Sequence, residues 1–144
     1  MVMSTDPHNL QRFVDAQEPV YSQVLAELRA GRKRSHWIWF IFPQIAGLGS
    51  SSTSQLYAIR SLAEAQAYLQ HPLLGQRLRE CTQLVLSISN RAIDEILGYP
   101  DDLKFRSSMT LFAQTNSGDP LFDDALKKYF AGEPDSLTLE RLRC

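Results

Sequence analysis

Apolar residues recur three and four positions apart along most of the chain, the spacing that places them on one face of an α-helix. Asp6-Pro7 and Asp119-Pro120 are typical helix openings, in which aspartate caps the helix and proline follows. Ser61 and Glu64 have the spacing of a capping box. Further helices are predicted after residues 19, 72, 92 and 101, and a last short helix near 137–142 completes about seven elements.

No segment alternates convincingly between apolar and polar residues, so the pattern predicts no sheet. The one possible strand is Trp37–Phe42, because aromatic and β-branched residues suit strands and a short apolar run has no diagnostic period. A single strand would have no partner, so we predict a helix that ends before Pro43. The predicted fold is all-α: one compact multihelical domain over residues 1–144, with a core of about 7–142.

Composition agrees with one soluble domain. The chain has 144 residues, 44% of them hydrophobic, and a formal net charge of -1. This balance favours neither an extended nucleic acid nor a membrane as partner. The longest apolar run, Trp37–Phe42, is far shorter than the ~18 residues of a membrane span, and no signal peptide is evident. Cys81 and Cys144 make a poor disulfide framework, so we expect a cytoplasmic protein.

Three segments of the chain resemble one protein family: GRKRSHWIWFIFPQIAGLGSS, YAIRSLAEAQAYLQHPLLGQRLREC and DDLKFRSSMTLF. The family is catalogued as "domain of unknown function 1810", and the resemblance runs from about Leu10 to Leu142. It implies an all-helical single domain and a helix at 37–42, but no activity, substrate or catalytic residue. The label calpastatin, sometimes attached to this family, does not fit, because such an inhibitor is long, repeated and disordered.

The densest cluster of cations follows the second predicted helix. Arg32, Lys33 and Arg34 lie just past Gly31. Cations there would stabilise the end of the helix through its dipole, and they would also form an edge that binds a phosphate or carboxylate. The two roles are compatible, and we take Arg32 and Arg34 as candidate ligand-binding residues.

Trp37 and Trp39, the only tryptophans of the chain, come directly after these cations. Aromatic side chains in such a run are most often core residues, because their rings bury large areas. On a helix, however, residues two apart lie about 200 degrees apart, so both indoles cannot face one core layer. We therefore expect one of them to face a cleft, another helix or the flat ring of a ligand.

The loop after the aromatic run offers many hydrogen-bond donors. Gln44, Ser50 and Ser51 are its candidate ligand-binding residues. The loop matches neither a dinucleotide-binding nor a P-loop pattern, and Gly- and Ser-rich stretches are also ordinary connections. Its signal for a phosphate site is therefore weak.

A polar stripe in the 101–110 helix, formed by Lys104, Ser107 and Ser108, could complete the site; a solvated helix face would also explain it. We take Lys104 and Ser108 as ligand-binding candidates. If chemistry occurs, His36 and Asp102 are the candidate proton carriers. Because a lone histidine is more often a cap or a structural donor, catalysis is not the first interpretation.

Other standard chemistries find no support. The three histidines and two cysteines lack metal-ligand spacing, so no metal site is predicted. No G-x-S-x-G or S-x-x-K motif is present, and no cofactor motif occurs. Two hypotheses remain. The first is a domain that binds an anionic, nucleotide-like or phosphorylated small molecule between the 32–55 block and the 101–110 helix, with turnover left open. The second is a non-enzymatic protein–protein interaction module. A plain alternative to both is that the tryptophans, the histidine and the polar residues of the 101–110 helix are all structural.

Overall fold

A computed structural model describes residues 6–115 and 118–143, and these residues form ten α-helices without an extended strand. In chain order the helices are α1 (Gln11–Gln17), α2 (Tyr21–Arg29), α3 (Ile38–Ile41), α4 (Ser52–Leu56), α5 (Leu62–Gln70), α6 (Leu74–Leu86), α7 (Ile93–Leu97), α8 (Asp101–Ala113), α9 (Leu121–Phe130) and α10 (Ser136–Leu142). None of them is both long and apolar enough to cross a membrane.

The all-helical prediction is confirmed, whereas the count of about seven helices is wrong. Helix α4 has no counterpart among the predicted helices, because its five residues make little more than one turn and show no periodicity. Helix α4 lies in the segment that reads as a Gly- and Ser-rich connection. It forms because the Ser51 hydroxyl accepts a hydrogen bond from the backbone N–H of Ser54 and caps the helix.

The predicted capping residues Asp6 and Ser61 accept hydrogen bonds at helix starts, but α1 begins later in the chain than predicted. Asp6 accepts hydrogen bonds from the N–H groups of Leu10 and Gln11, so α1 begins several residues after the Asp6-Pro7 signal. Ser61 accepts from the N–H of Glu64 at the start of α5. The reciprocal half of this capping box differs, because the Glu64 carboxylate accepts from the N–H of Arg60.

Helix α8 lies at the centre of the fold and packs against α3, α5, α7, α9 and α10. Its apolar residues Phe105, Met109 and Phe112 are fully buried. Its polar residues are also largely buried, so the solvated-face interpretation of the 104–108 stripe does not describe this helix. Ser107 and Thr110 satisfy their hydroxyls within the helix, by donating to the carbonyl oxygens four residues earlier.

Aromatic contacts fix α3 and the loop after it above the start of α8. The ring of Phe42 meets that of Phe105 edge-on, with the centroids 4.9 Å apart. The loop is then tied to the segment before α5 by an isolated parallel bridge between Ile45 and Ile59. Here the N–H of Ala46 donates to the Ile59 carbonyl at 2.7 Å. These contacts hold residues 39–54 opposite the first turns of α8.

Candidate functional site

A pocket of about 490 Å³ lies between the 39–54 segment and α8. The 39–54 segment supplies one wall, whose residues include Trp39, Gln44, Leu48, Ser50 and Ser51. Helix α8 and the residue before it supply the opposite wall, formed by Pro100, Leu103, Lys104, Arg106 and Ser107. Asp135 and Leu137, at the start of α10, complete the lining. The pocket is therefore assembled from three separate parts of the chain.

The single turn of α3 explains why only one tryptophan reaches this pocket. Ile38 and Ile41, three residues apart, are buried in the core, and Trp37 at the N-terminal end of the turn is 1% exposed. Trp39 lies on the other side of the turn, is half-buried and faces the pocket. The two indoles therefore lie in different environments, as the helical spacing of residues 37 and 39 predicts.

A shared carboxylate sets the charge on the α8 wall. Asp101 accepts from the Lys33 ammonium at 2.8 Å with Oδ2 and from the Lys104 ammonium at 3.2 Å with Oδ1. Two cations on one carboxylate leave one formal positive charge in this group. Lys33 is nearly buried, whereas Lys104 lines the pocket, with its Nζ 4.8 Å from the centroid of the Trp39 ring. The excess positive charge is therefore accessible from the pocket at Lys104.

A second cation, Arg106, lies two residues after Lys104 on α8. The Arg106 side chain is anchored by a hydrogen bond from its Nε to the carbonyl oxygen of Glu133, and its guanidinium carbon lies 5.4 Å from the centroid of the Phe130 ring. Its charge partner, the Glu133 carboxylate, is 3.6 Å away and highly exposed, so the attraction between them is weak. Among the described residues that line the pocket, Asp135 carries the one carboxylate.

Comparison with known proteins places the chain in a family. Residues 7–142 match the family model described as "Protein of unknown function (DUF1810)". The chain belongs to the DUF1810 family. The crystal structure of the conserved hypothetical protein Rv1873 from Mycobacterium tuberculosis is similar, with 57% sequence identity and a TM-score of 0.95. The similarity covers 96% of this chain and 99% of that protein. No curated protein matches the chain significantly.

In this DUF1810 chain, five of the residues singled out from the sequence line one pocket. They are Trp39, Gln44, Ser50, Ser51 and Lys104. Their assignment as ligand-binding residues stays a prediction. Among the described residues, no group of three or more histidine, cysteine, aspartate or glutamate side chains could hold a metal ion.

Two of the predicted cations lie away from the DUF1810 pocket. Arg32 lines a separate depression of about 390 Å³, together with Lys33 and Arg91. Arg34 is exposed, and its backbone N–H donates to the buried Glu27 carboxylate. Trp37 belongs to the same buried group, because its indole N–H also donates to Glu27, at 2.9 Å. The cation cluster and the pocket are therefore two different surfaces.

The two predicted proton carriers do not line the pocket either. His36 is exposed just before Trp37. Asp102 lies on α8 beside α7, and burial raises the pKa of its carboxyl, with further increases from the negative charges of Asp94 and Asp101. The hydroxyl oxygen of Ser108 is fully buried and, among the described residues, has no hydrogen-bond partner.

The lining residues missed from the sequence include Ser54, Arg106, Ser107, Asp135 and the apolar rim of Leu48, Leu103 and Leu137. Ser107 belongs to the predicted polar stripe, and its spacing from Lys104 was the available signal. Asp135 had only a local signal, since it precedes the last predicted helix as a cap. No local pattern indicates that α10 packs against α8 and brings this carboxylate into the pocket.

Proposed function

We propose that this protein binds an anionic small molecule, nucleotide-like or phosphorylated, in the pocket between the 39–54 segment and α8. The observation that carries the proposal is the Lys33–Asp101–Lys104 group. One carboxylate shared by two ammonium groups leaves a positive charge, and Lys104 presents that charge to the pocket. A phosphate or carboxylate is the ligand group that such a charge attracts, and a hydrogen bond to a charged group is stronger than a neutral one.

The shape of the pocket agrees with a small ligand. A volume of about 490 Å³ lies within the range of roughly 300–1,000 Å³ that is typical of small-molecule sites. Gln44, Ser50 and Ser51 offer polar groups on the wall facing Lys104, and the apolar rim offers contact area for the uncharged part of a ligand. Trp39 acts here mainly by supporting Lys104, because the ammonium already occupies a position over its ring.

Binding, rather than turnover, is the function that this geometry supports. Neither His36 nor Asp102 is among the described residues that line the pocket. A general acid or base must lie within hydrogen-bond reach of the proton that it transfers, directly or through one water. The proposal therefore assigns no reaction.

The test is a thermal-shift screen against nucleotides, sugar phosphates, ADP-ribose, pyrophosphate and dicarboxylates. A ligand at 100 times its Kd stabilises the folded protein by about 2.7 kcal/mol, which raises Tm by several degrees in a domain of this size. For any ligand found, Lys104→Gln should raise Kd at least about tenfold, because a charge-assisted hydrogen bond is lost. Lys127→Gln, an exposed charge removal on α9, is the matched control.

Two further readouts separate the pocket from the rest of the molecule. The Tm of free Lys104→Gln should stay close to that of the wild type, because Asp101 keeps its bond to Lys33. Ligand-dependent fluorescence change should disappear in Trp39→Phe, which leaves only the buried Trp37. Equal affinity of Lys104→Gln and Lys127→Gln for the ligand would refute the proposed site.

The rim of the pocket favours the protein–protein interaction module as a second candidate function. Leu103 and Leu137 line the pocket and are 45% and 57% exposed, and Tyr99, next to the lining Pro100, is 79% exposed. Exposed apolar side chains close together are typical of a protein-binding surface. This candidate predicts no thermal shift with any small anion of the panel, whereas the first predicts a shift that depends on Lys104.

A further inference from the structure

Asp135 is a fixed carboxylate on the wall of the pocket. It caps α10, and its Oδ2 accepts hydrogen bonds from the backbone N–H of Thr138 at 3.0 Å and from the Thr138 hydroxyl at 2.6 Å. The same oxygen lies 3.3 Å from the Ser107 hydroxyl on α8. These contacts hold the carboxylate in one orientation, between the two helices.

The other oxygen of this carboxylate has a different environment. The hydrogen bonds that the Asp135 carboxylate accepts from the described side chains and backbone groups all go to Oδ2, and none goes to Oδ1. Because a carboxylate has lone pairs on both oxygens, Oδ1 remains an acceptor. Asp135 lines the pocket and is half-buried, so its carboxylate belongs to the same site as Lys104 and Arg106.

The charges of the lining residues indicate which class of ligand the pocket favours. Lys104 and Arg106 attract an anionic group, while Asp135 repels it and needs a hydrogen-bond donor. A bare polyanion satisfies the cations only. A zwitterion could satisfy both, but two cations and one carboxylate leave a net positive charge, which favours a ligand of net negative charge.

We infer that the ligand is an anion that also carries a hydroxyl group, as a sugar phosphate does, with its anionic group at Lys104 and Arg106 and its hydroxyl donating to Oδ1 of Asp135. This inference rests on the proposed function and adds the chemical class of the ligand. It makes Asp135 a specificity-determining residue, which distinguishes hydroxylated anions from anions of the same charge without hydroxyls.

The experiment compares three five-carbon phosphates by isothermal titration: ribose 5-phosphate, n-pentyl phosphate and 5-aminopentyl phosphate. The first offers hydroxyls, the second offers no donor on its carbon chain, and the third offers an ammonium. The wild type should bind ribose 5-phosphate about tenfold more tightly than n-pentyl phosphate, the ratio expected for one hydrogen bond to a charged acceptor.

Asp135→Asn tests the residue itself. Asparagine caps helices as well as aspartate does, so its oxygen can keep the contacts with Thr138 while its NH₂ replaces Oδ1. An acceptor thus becomes a donor, and the preference for ribose 5-phosphate over n-pentyl phosphate should disappear. Asp123→Asn, an equal loss of charge at an exposed position of α9, should keep that preference.

Each outcome decides at least one of the two proposals, the anion pocket and the hydroxyl preference. Equal wild-type affinities for ribose 5-phosphate and n-pentyl phosphate would overturn the inference and leave the anion pocket standing, as would tightest binding of 5-aminopentyl phosphate. If Asp135→Asn still prefers ribose 5-phosphate over n-pentyl phosphate, a residue other than Asp135 accepts the hydrogen bond from the ligand's hydroxyl. If none of the three phosphates binds, both the inference and the proposed phosphate site fail. The wild-type comparison needs no variant, so it decides the inference even if Asp135→Asn does not fold.

Discussion

Glu27 is the residue that organises the cationic segment after α2. It is 7% exposed, and its carboxylate accepts hydrogen bonds from the N–H groups of Arg34 and Ser35, from the Ser35 hydroxyl, from the Trp37 indole and from Gln23. Backbone donors in a segment predicted to bind an external anion are therefore occupied by a carboxylate of the protein itself. This explains why Arg34 does not reach the pocket.

Glu27→Gln should destabilise the protein by about 2 kcal/mol at pH 7, because hydrogen bonds to a charged acceptor become bonds to a neutral amide. Burial alone would raise the pKa of Glu27, but the hydrogen bonds from Ser35, Arg34, Trp37 and Gln23 outweigh it and lower the pKa from 4.5 to about 2. Urea unfolding of both proteins measures the difference.

The pH dependence of that difference has a definite sign. A carboxyl whose pKa is lower in the folded state stabilises that state above its unfolded pKa, and the stabilisation is lost as pH falls through the folded value. The gap between wild type and Glu27→Gln should therefore narrow between about pH 4.5 and pH 2. Asp123→Asn, at an exposed position, should change stability by less than about 0.5 kcal/mol. A gap that does not vary with pH would contradict the role of Glu27.

At the scale of helices, the contact between α5 and α6 depends on Gly75. A Cβ atom at this position would lie 2.1 Å from the carbonyl oxygen of Leu69 and 3.0 Å from Nη1 of Arg79. The first distance is far shorter than any non-bonded contact, so either the end of α5 or the start of α6 would have to move. Glycine inside a helix normally costs about 1 kcal/mol relative to alanine, and here it permits the close approach of the backbone.

Gly75→Ala should therefore lower stability by at least about 2 kcal/mol, the opposite sign from that of helix propensity, because the backbone must shift. The urea midpoint of unfolding gives the measurement. Gln76→Ala, at the next and exposed position of α6, is the control and should be neutral or slightly stabilising. A variant Gly75→Ala that is more stable than the wild type would show that the α5–α6 contact relaxes without cost.

Most of the helices could be predicted from an apolar stripe, a local start or stop signal, or both. Helices α5, α6, α8 and α9 have both. Helix α4 could not be predicted, because it is stabilised by the Ser51 cap in a segment without apolar periodicity. The position of α8 could not be predicted either: Ser107 belongs to the polar stripe that a solvated face would also explain, whereas its side chain is buried and its hydroxyl donates to the Leu103 carbonyl of the same helix.

At the scale of the whole molecule, half of the pocket could be predicted. The 39–54 segment with Trp39 and helix α8 with Lys104 do face each other across the pocket, because Phe42 packs on Phe105. Asp135 enters the pocket only through the packing of α10 on α8, which no spacing in the sequence encodes. Arg32 lies outside the pocket and lines a separate depression together with Lys33. Packing between segments that are far apart in the sequence therefore determines which residues line the pocket.

Arg12 ties three parts of the molecule together. Its guanidinium donates five hydrogen bonds at 2.6–2.9 Å, to the carbonyl oxygens of His8, Asn9, Leu56 and Ala58 and to the carboxylate of Glu64. The partners lie before α1, around the end of α4 and within α5. The Arg12 and Glu64 side chains are 12% and 3% exposed, so the ion pair between them is almost fully removed from water.

Arg12→Ala should destabilise the protein by about 3–5 kcal/mol, because it leaves the buried Glu64 charge unpaired together with several carbonyl groups. Arg12→Lys should recover little of this loss, since an ammonium cannot reproduce the planar arrangement of five donors. Urea unfolding gives the free energy of unfolding of both variants, of Glu64→Gln and of the double variant Arg12→Ala/Glu64→Gln. The double variant should be more stable than the sum of the single effects predicts, because the neutral glutamine removes the unpaired charge. If Arg12→Lys unfolds within about 0.5 kcal/mol of the wild type, charge alone holds these segments together, and the argument from guanidinium geometry is wrong.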